Sequence, residues 1–507
     1  MKLNINFSSR FFALYVALLS CPSQAADSVF AVQDLQLPIA VSHPVISANL
    51  LTNEGNELLV MGVNELQQRS LLILGFDKKT QQYQPQDIIV LPPALFAFDI
   101  GDDKSTLQRL YFLSKDQLWH YRPATADQPS AIVPQTAIRS MYLADNADFI
   151  QQRDFAQDIN YDGKDDFIIA DFEQLNLWLS NNAGSLTHQQ LAISTHLRVE
   201  DERISFNEVK LYFADMNNDS LKDIVTVDDG QLQVFQQDND GQFTVTPQPI
   251  TIHPSISGIN WWDKIEADGQ NPDQSNLQHR VVEDIRDFNG DKIADMMVRF
   301  TQSSGVLDKT NDYELYLGQI KDQQLQFNLQ ADSQIQSDET LSGLQIVDIE
   351  EDGKLEVMLS AFDLGLTQII SALLAGSIDQ EMLLFSLNEQ HHFNPKPLSV
   401  QDVEITFSLS RGRSGEPMVK IADVNADGYK DILLSSGDDK IEIIYATPQG
   451  KRAFARKSVK FSVALPSNAK EITDADINND GKTDLILHYG RLDAEALLKH
   501  ITILTAR

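Results

Sequence analysis

Six copies of a nine-residue acidic loop recur along this chain, each close to the pattern Asp-x-Asn-x-Asp-Gly-x-x-Asp. The copies begin at Asp158, Asp215, Asp287, Asp348, Asp423 and Asp476. Oxygen-bearing side chains at loop positions 1, 3, 5 and 9 around a tight turn are the ligands that a hard divalent cation such as calcium prefers. Their recurrence at intervals of 53 to 75 residues indicates that each acidic loop belongs to a repeated structural unit.

The EF-hand is the main alternative for such a loop, and the sequence argues against it. An EF-hand carries a carboxylate at loop position 12 and continues into a helix. Here position 12 is never acidic, as Ile169, Thr226 and Leu434 illustrate, and the loop runs into β-type segments such as Asp166-Phe-Ile-Ile. The acidic loops therefore connect strands. Cysteine-stapled calcium modules are also excluded, because the only cysteine is Cys21 near the amino terminus.

The segments around each loop predict a four-stranded unit. Its order is inner strand, acidic loop, second strand, third strand, hairpin turn and outer strand. An alternating apolar third strand such as Leu175-Asn-Leu-Trp-Leu precedes a polar turn such as Asn182-Ala-Gly. Many antiparallel four-stranded units in series predict an all-β fold, a β-propeller whose blades bury their faces against one another.

The number of units is predicted from the intact and the degenerate copies together. Two degenerate copies of the loop precede the first intact one, one around Asn53 and one around Asp99. Together with the six intact copies they predict eight blades of about 60 residues, and seven blades is the alternative. The last unit ends at its third strand, Ile501-Thr-Ile-Leu, and lacks an outer strand. We therefore expect the strand that begins at Val29-Phe-Ala-Val to complete the last blade and close the ring.

The amino terminus has the pattern of a secretory signal. Lys2 and Arg10 precede an apolar run that ends at Leu19, and small residues follow up to Ala25. The run is too short to span a membrane. We expect a signal peptide over residues 1–25, a single propeller domain over residues 26–507, and export to the periplasm or the extracellular space. The alternative is an outer-membrane lipoprotein with a lipid anchor at Cys21.

The charge of the chain excludes some partners. Its formal net charge is −33, which argues against nucleic acid or an anionic membrane surface as a partner. The carboxylates of the acidic loops account for much of this charge.

The six loops resemble the FG-GAP/VCBS repeat, which occurs in the calcium-bearing propeller of integrin α-subunits and in many exported bacterial proteins. The resemblance covers nearly all of the chain after the signal segment. It implies up to six calcium ions, each held by the side chains at positions 1, 3, 5 and 9 and by the carbonyl at position 7. The implied ligands are Asp158, Asn160, Asp162, Lys164, Asp166, Asp215, Asn217, Asp219, Leu221, Asp223, Asp287, Asn289, Asp291, Ile293, Asp295, Asp348, Glu350, Asp352, Lys354, Glu356, Asp423, Asn425, Asp427, Tyr429, Asp431, Asp476, Asn478, Asp480, Lys482 and Asp484.

Four residues depart from the family pattern. Ser220 and Lys292 replace the glycine at position 6, where glycine adopts a positive φ most easily. Glu350 and Glu356 replace shorter ligands, which makes the loop at Asp348 the weakest predicted site. Loops that supply every ligand from within leave no open coordination position. We therefore expect structural ions rather than ions that bridge to a partner, the regulatory or adhesive alternative.

Function is expected where the repeat is interrupted. Residues 257–279 carry the pair Trp261 and Trp262, which could stack on sugar rings, anchor a protein partner, or only pin a long loop. Residues 363–380 and 491–499 are further interruptions with helix-like spacing. Trp261 and Trp262 are therefore the candidate ligand-binding residues.

Two function classes remain open. The first is an exported adhesion or binding module for a protein or a glycan. The second is a polysaccharide-active lyase or glycosidase, for which the sequence offers no catalytic constellation because the histidines are scattered and the repeat accounts for the most regular carboxylates. The binding module is the favoured hypothesis, because no catalytic constellation stands out. The fold alone does not identify the ligand, since propellers host many functions.

Overall fold

The computed structural model describes residues 28–507 apart from a few stretches. The stretches left out are 53–54, 103–106, 182–184, 201–202, 267–268, 306–307, 338, 363–376, 409–412 and 448–451. The predicted signal peptide and Cys21 thus lie outside the described residues, as does most of the interruption at 363–380.

The described chain is all-β, as predicted. Its only helices are two 3-10 turns, Ala469–Glu471 and Glu495–Leu497. No helix in this described part is long and apolar enough to cross a bilayer. The sheets are mostly antiparallel and follow one another along the chain.

Apart from two short hairpins, the strands of the described residues form eight groups, which we call sheets 1 to 8 in the order of their inner strands. An initial strand, β1, spans Phe30–Gln36. Sheet 1 contains β2 (Ala40–Val41), β3 (Ile46–Ala48), β4 (Glu57–Val63), β5 (Arg69–Asp77) and β6 (Gln82–Val90). Sheet 2 contains β7 (Ala97–Ile100), β8 (Leu110–Leu113), β9 (Gln117–Arg122), β10 (Ala131–Ala137) and β11 (Gln151–Gln152). Sheet 3 contains β12 (Ala156–Gln157), β13 (Asp166–Ala170), β14 (Leu175–Ser180) and β15 (Leu186–Leu191).

The middle of the chain adds a hairpin and two sheets. The hairpin pairs β16 (His196–Glu200) with β17 (Arg203–Asn207). Sheet 4 contains β18 (Tyr212–Ala214), β19 (Asp223–Asp228), β20 (Gln231–Phe235) and β21 (Gln248–Thr251). Sheet 5 contains β22 (Ile256–Ser257), β23 (Leu277–Arg286), β24 (Asp295–Gly305), β25 (Asp308–Tyr316) and, after the hairpin of β26 (Gln319–Lys321) and β27 (Gln324–Gln326), β28 (Ser333–Ile335).

The remaining strands form sheets 6 to 8. Sheet 6 contains β29 (Thr340–Val347), β30 (Glu356–Phe362), β31 (Ser377–Phe385), β32 (Ser399–Ser408) and β33 (Arg413–Gly415). Sheet 7 contains β34 (Val419–Ala422), β35 (Asp431–Ser435), β36 (Lys440–Ile444) and β37 (Val459–Ser462), and sheet 8 contains β38 (Ile472–Ala475), β39 (Asp484–His488), β40 (His500–Ala506) and β1. A short parallel pairing of Asn311 with Thr340 joins sheets 5 and 6 into one ten-stranded sheet.

The order of elements within a unit matches the prediction. In sheets 3, 4, 6, 7 and 8 the acidic loop connects the first strand to the second, and in sheet 5 it connects β23 to β24; the strand after the loop begins at loop position 9 in every case. The strand β4, with which both β2 and β3 pair, is buried on both faces and is an almost continuous apolar run, whereas the outer strand β6 alternates between half-buried and exposed residues.

The amino-terminal strand completes the last sheet, also as predicted. β1 pairs antiparallel with β40, from Phe30 opposite Ala506 to Gln36 opposite His500. The strand contributed by the start of the chain is therefore the outer strand of sheet 8.

The buried apolar residues of the described chain form eight clusters, and each cluster combines two sheets. Seven of them join sheets that are consecutive in sequence. The eighth joins the last sheet to the first, with Ile486 and Ile503 packed in the same cluster as Leu58 and Leu72. Each sheet thus has an apolar contact on both of its faces.

Three expectations need correction or restriction. Asp99, expected at the start of a degenerate loop, lies within β7. The helix-like spacing at 491–499 yields only the single 3-10 turn Glu495–Leu497, and residues 377–380 belong to β31.

Candidate functional site

The six acidic loops share one backbone conformation, which needs a left-handed residue at two positions. Position 6 has a φ between 68° and 85° in all six loops, including Ser220 at 72° and Lys292 at 68°. Position 4 is left-handed as well, at Tyr161, Asn218, Gly290, Glu351, Ala426 and Asn479. The requirement at position 6 was predicted from the glycine pattern. That at position 4 was not, because five of its six residues are not glycine.

Side chains at positions 1 and 5 fix this conformation. The carboxylate at position 1 accepts the N–H of position 6 in every loop, as Asp215 Oδ2 does from Ser220 at 2.7 Å. The carboxylate at position 5 accepts the N–H of position 7 in every loop, as Asp219 Oδ1 does from Leu221 at 2.8 Å. Each loop is therefore held by its own acidic side chains.

The position 9 carboxylate is the most buried acidic group of each loop. Asp166, Asp223, Asp295, Asp431 and Asp484 are all fully buried, and Glu356 is 9% exposed. Asp484 shows the recurring role: Oδ2 accepts the N–H of Ile477 at loop position 2, at 3.1 Å, and Oδ1 accepts the N–H of Ala506 at the end of the third strand, at 2.8 Å. The carboxylate thus ties the start of the loop to the far side of the sheet.

Burial makes the charge of this carboxylate costly. Desolvation, with a further contribution from the carboxylates at positions 5 and 1, raises the pKa of Asp484 to about 7. Asp166 and Asp295 are raised to about 7 and Asp223 and Asp431 to about 6 by the same causes, while burial and the acidic residues of its own loop raise the pKa of Glu356 to about 7. Without a cation these groups therefore take up protons at a higher pH than an exposed carboxyl group does.

The donor set of the loops fits a hard cation. All the predicted ligand atoms are oxygens, and the buried Asp166 Oδ2 has no hydrogen-bond partner among the described residues. No three His, Cys, Asp or Glu side chains of the described chain lie close enough to form a metal site by themselves. An ion would therefore also depend on the Asn side chain at position 3 and the carbonyl at position 7, and calcium in these loops stays a prediction.

In the loop at Asp348 a lysine lies closer to a predicted ligand than the equivalent Lys164 does in the first loop, where Nζ is 3.8 Å from Asp162 Oδ2. Lys354 at position 7 places its Nζ 2.8 Å from Asp352 Oδ2 at position 5, and this contact holds the pKa of Asp352 below its usual range. A lysine that already neutralises a ligand carboxylate competes with a metal ion. This contact agrees with the ranking of this loop as the weakest predicted site.

The degenerate copy around Asn53 retains a buried acid that the sequence pattern did not reveal. Glu57 begins the second strand of sheet 1 and is fully buried, and its Oε2 accepts the N–H groups of Leu50 and Leu51 at 2.8 and 2.9 Å. It holds the same structural position as Asp484. The contact to the start of the loop has thus been kept where the other predicted ligands have been lost.

Replacing the non-glycine residues at position 6 should stabilise the fold. A non-glycine residue held at a left-handed φ destabilises the folded state by roughly 1–2 kcal/mol. Glycine removes this strain, but its larger conformational entropy in the unfolded state cancels about 0.5–1 kcal/mol of the gain. We expect Ser220→Gly and Lys292→Gly together to raise the free energy of unfolding by about 1 kcal/mol, measured by urea denaturation. Gly353→Ala is the control: its φ is 83° and a Cβ would meet no atom within 4 Å, so it should lose stability through backbone strain alone. Equal stability of all three proteins would contradict the expectation.

The predicted ligand-binding pair, Trp261 and Trp262, lies beside a cavity of about 610 Å³ between the inner strands of sheets 5 and 6. We call it the tryptophan cavity. Trp262 lines it and is 44% exposed, whereas Trp261 does not line it and packs edge-on against Trp262 at a centroid distance of 5.5 Å. The structure thus gives the two rings different surroundings. The cavity is also lined by Lys210, Glu283, Asp284, Arg286, Arg299 and Tyr313.

A buried arginine positions the exposed ring. Arg299 pairs through Nε with Glu283 Oε1 at 2.5 Å and donates from Nη2 to Asn260 Oδ1 at 2.6 Å. Its guanidinium carbon lies 5.2 Å from the centroid of the Trp262 ring. The segment that carries Trp262 is therefore anchored to the wall of the cavity through Asn260 and a cation–π contact.

Both inner strands at the cavity are irregular. The pairing of β23 shifts register at Glu283, and that of β29 shifts at Gly343 and Leu344. Gly343 has a φ of 67°. Bulges of this kind redirect side chains and are frequent beside binding sites. Sequence periodicity alone does not locate them, because one extra residue in a strand leaves no distinctive pattern.

Comparison with known proteins identifies the repeat. A family model described as an FG-GAP-like repeat matches residues 158–225, 215–267 and 423–487. No curated protein matches the chain.

Two solved structures show a weak overall similarity. One is a lectin of Agrocybe aegerita described for specific recognition of non-reducing terminal N-acetylglucosamine, with 13% identity over 90% of this chain and 98% of the lectin and a TM-score of 0.37. The other is the WD40 domain of SCAP from fission yeast, with 10% identity over 97% of this chain and 98% of that domain and a TM-score of 0.38. Scores this low support no argument about this protein. The three matches show that the chain carries FG-GAP-like repeats, and all six acidic loops share one backbone conformation.

Proposed function

We propose that the protein is an exported, calcium-stabilised β-propeller of eight blades that binds a glycan in the tryptophan cavity. The observation that best supports this proposal is the cavity itself, where the exposed indole ring of Trp262 is surrounded by polar and charged side chains between two irregular inner strands. The fold and the ions serve to hold this cavity in place.

The cyclic arrangement of the core supports eight blades. Every apolar cluster combines neighbouring sheets, and Ile486 and Ile503 of the last sheet pack with Leu58 and Leu72 of the first. An open row of sheets would leave two apolar faces exposed at its ends, whereas a ring leaves none. The pairing of β1 with β40 is the strand exchange that such a ring needs for closure.

The electrostatics of the acidic loops support calcium with a structural role. The side chains at positions 1, 3, 5 and 9 and the carbonyl at position 7 would hold the ion, which would offset the repulsion among two or more carboxylates in each loop. The amino-terminal signal pattern supports export to the periplasm or beyond, where calcium is available to sites of modest affinity.

The shape and chemistry of the tryptophan cavity favour a glycan over a protein partner. Sugar rings present apolar C–H faces that pack on an indole ring and hydroxyls that need several hydrogen-bonding groups. Trp262 offers the exposed ring, and Lys210, Arg286 and Glu283 offer donors and acceptors around it. Protein interfaces are broad and largely flat, whereas this site is concave.

Binding should depend on Trp262 much more than on Trp261. On a glycan array, we expect Trp262→Ala to weaken binding of any recognised glycan by roughly 30-fold, because an anchoring aromatic residue contributes about 2 kcal/mol or more. Trp261→Ala is the matched control and should weaken binding less than about tenfold, since Trp261 does not line the cavity and its ring contacts Trp262 edge-on and Lys309.

The outcomes separate the alternatives. No glycan bound, or equal binding by wild type and Trp262→Ala, would refute the glycan proposal. Cleavage of a bound glycan would favour the polysaccharide-active enzyme instead.

A further inference from the structure

The charged side chains that line the tryptophan cavity do not balance. Three are basic and two are acidic: Lys210, Arg286 and Arg299 against Glu283 and Asp284. Arg299 pairs with Glu283 at 2.5 Å, and Arg286 pairs with Asp284 at 2.5 Å. Lys210 forms no ion pair within the described part of the chain. The cavity therefore carries one positive charge that no carboxylate of its own lining offsets.

The bulge in β23 fixes the position of Lys210. A β-bulge leaves backbone groups without their partners in the sheet. Here the carbonyl oxygen of Val282 accepts from the Tyr212 hydroxyl at 2.7 Å, and the carbonyl oxygen of Glu283 accepts from Lys210 Nζ at 2.5 Å. Lys210 Nζ also lies 5.0 Å from the centroid of the Tyr212 ring. The ammonium group is thus held beside the bulge, while Lys210 as a whole stays exposed.

Lys210 and Arg286 both keep hydrogen-bond donors that a ligand can use. An ammonium group has three N–H donors, and the Glu283 carbonyl takes one of those of Lys210. Arg286 approaches Asp284 through Nε, its side chain is 49% exposed, and its Nη groups donate no hydrogen bond within the described residues. Two cationic groups with unused donors on one cavity favour an anionic ligand, because hydrogen bonds between charged partners are the strongest kind.

Resting on the glycan proposal above, we propose that the tryptophan cavity selects glycans that carry a uronic acid residue. The uronate carboxylate is bound by Lys210 Nζ and the Nη groups of Arg286, while the sugar ring packs on Trp262. A sugar that covers Lys210 removes water from its ammonium group, and an anionic sugar compensates this loss whereas a neutral one does not. The planar Nη fork of Arg286 matches the two oxygens of a carboxylate.

The net charge of the chain limits the ligand to few acidic residues. A formal net charge of −33 repels a dense polyanion. Exposed charges more than about 8 Å apart are largely screened at physiological ionic strength, so a single carboxylate inside the cavity responds mainly to the groups around it. One uncompensated positive charge therefore suits an isolated uronic acid residue on an otherwise neutral glycan.

An array of matched oligosaccharides, probed with the full chain, tests this selection. Each glycan that carries one glucuronic or galacturonic acid residue is printed beside its carboxyl-reduced, neutral counterpart and beside a counterpart with one sulfate ester instead. We expect at least one uronate glycan to bind roughly tenfold or more tightly than its neutral counterpart. This preference should weaken as the salt concentration rises, because salt screens the charges of a partly exposed site.

Variants locate the selection at Lys210. Lys210→Met removes the charge but keeps the length of the side chain, and should reduce the preference for the uronate form to about threefold or less. Lys210→Arg keeps a positive charge and should retain a preference. Lys264→Met is the matched control, because Lys264 lies in the same segment as Trp262 but pairs with Asp229 at 3.1 Å and does not line the cavity. It should leave the preference unchanged.

The possible results separate this inference from the glycan proposal. Equal binding of acidic and neutral glycans, still dependent on Trp262, would overturn the selection and leave the glycan proposal standing. A preference that persists in Lys210→Met would overturn the assignment of the charge to Lys210. Binding of the sulfated form in place of the uronate would overturn the carboxylate as the recognised group. The absence of binding to any glycan would overturn both proposals.

Discussion

Chelation of calcium should lower the melting temperature of this protein by on the order of 10 °C. Calcium sites of extracellular modules have dissociation constants of about 10⁻⁴–10⁻³ M, so calcium at about 10 mM would stabilise the folded state by roughly 1.4–2.7 kcal/mol per site. Unfolding entropy for a chain of this length is on the order of 1 kcal/mol per degree, so each site contributes one to three degrees and six sites add up to the expected shift. Calorimetry with and without chelator measures it.

The chelated protein should also respond to pH in a defined direction. The folded-state pKa of the position 9 acids is about 6 to 7, above the value near 4 of an unfolded carboxyl group. The folded state therefore binds protons more tightly, and stability is lost as the pH rises from about 4 through 7. We expect the chelated protein to melt at a higher temperature at pH 5 than at pH 8. Calcium should remove this loss, because it replaces the protons.

Single-loop variants provide the control for this effect. Asp480→Asn should lower the melting temperature in calcium but have little effect in chelator, where no ion is lost. Asp352→Asn should have a smaller effect in calcium, because the Lys354 ammonium already neutralises Asp352. A melting temperature that does not change on chelation would refute the calcium assignment for all six loops.

The left-handed position 6 of the acidic loops could be predicted because the residues that indicate it lie within the loop itself, whereas the left-handed position 4 could not, because five of its six residues are not glycine. Position 6 needs a left-handed backbone, and four of six loops place glycine there. The strand that follows begins at position 9, where a buried acid starts an apolar run. Both signals lie within nine consecutive residues. The role of Glu57 was missed because a single acid remains after the other ligands of its copy have disappeared.

The tryptophan cavity could not be predicted as a whole, because it arises from residues distant in sequence. Lys210 and Glu283 line it together only because the inner strands of sheets 4 and 5 pack side by side. The sequence indicated Trp261 and Trp262 equally, yet only Trp262 lines the cavity. Which ring is exposed depends on the tether between Asn260 and Arg299, a contact between residues 39 positions apart.

Truncation of Phe30 to alanine should destabilise the protein more than any other single change in β1. Phe30 is 1% exposed, belongs to the cluster between sheets 7 and 8, and packs edge-on against Phe461 at a centroid distance of 5.3 Å. Loss of a buried phenylalanine ring costs about 3–5 kcal/mol through lost apolar burial and the cavity left behind. Urea denaturation monitored by tryptophan fluorescence measures the loss.

Val32→Ala is the matched control for this prediction, because Val32 lies two residues further along β1 with its side chain 51% exposed. It should cost no more than about 0.5 kcal/mol, as surface substitutions usually do. If β1 closes a ring, Phe30→Ala should also loosen the adjoining sheet 1, because Leu35 of the same strand packs in the cluster that joins the last sheet to the first. Amide exchange should then rise in β4 as well as in β39. Faster exchange confined to β39 and β40 would mean that the two ends of the chain are not coupled, and would contradict the closed eight-bladed arrangement.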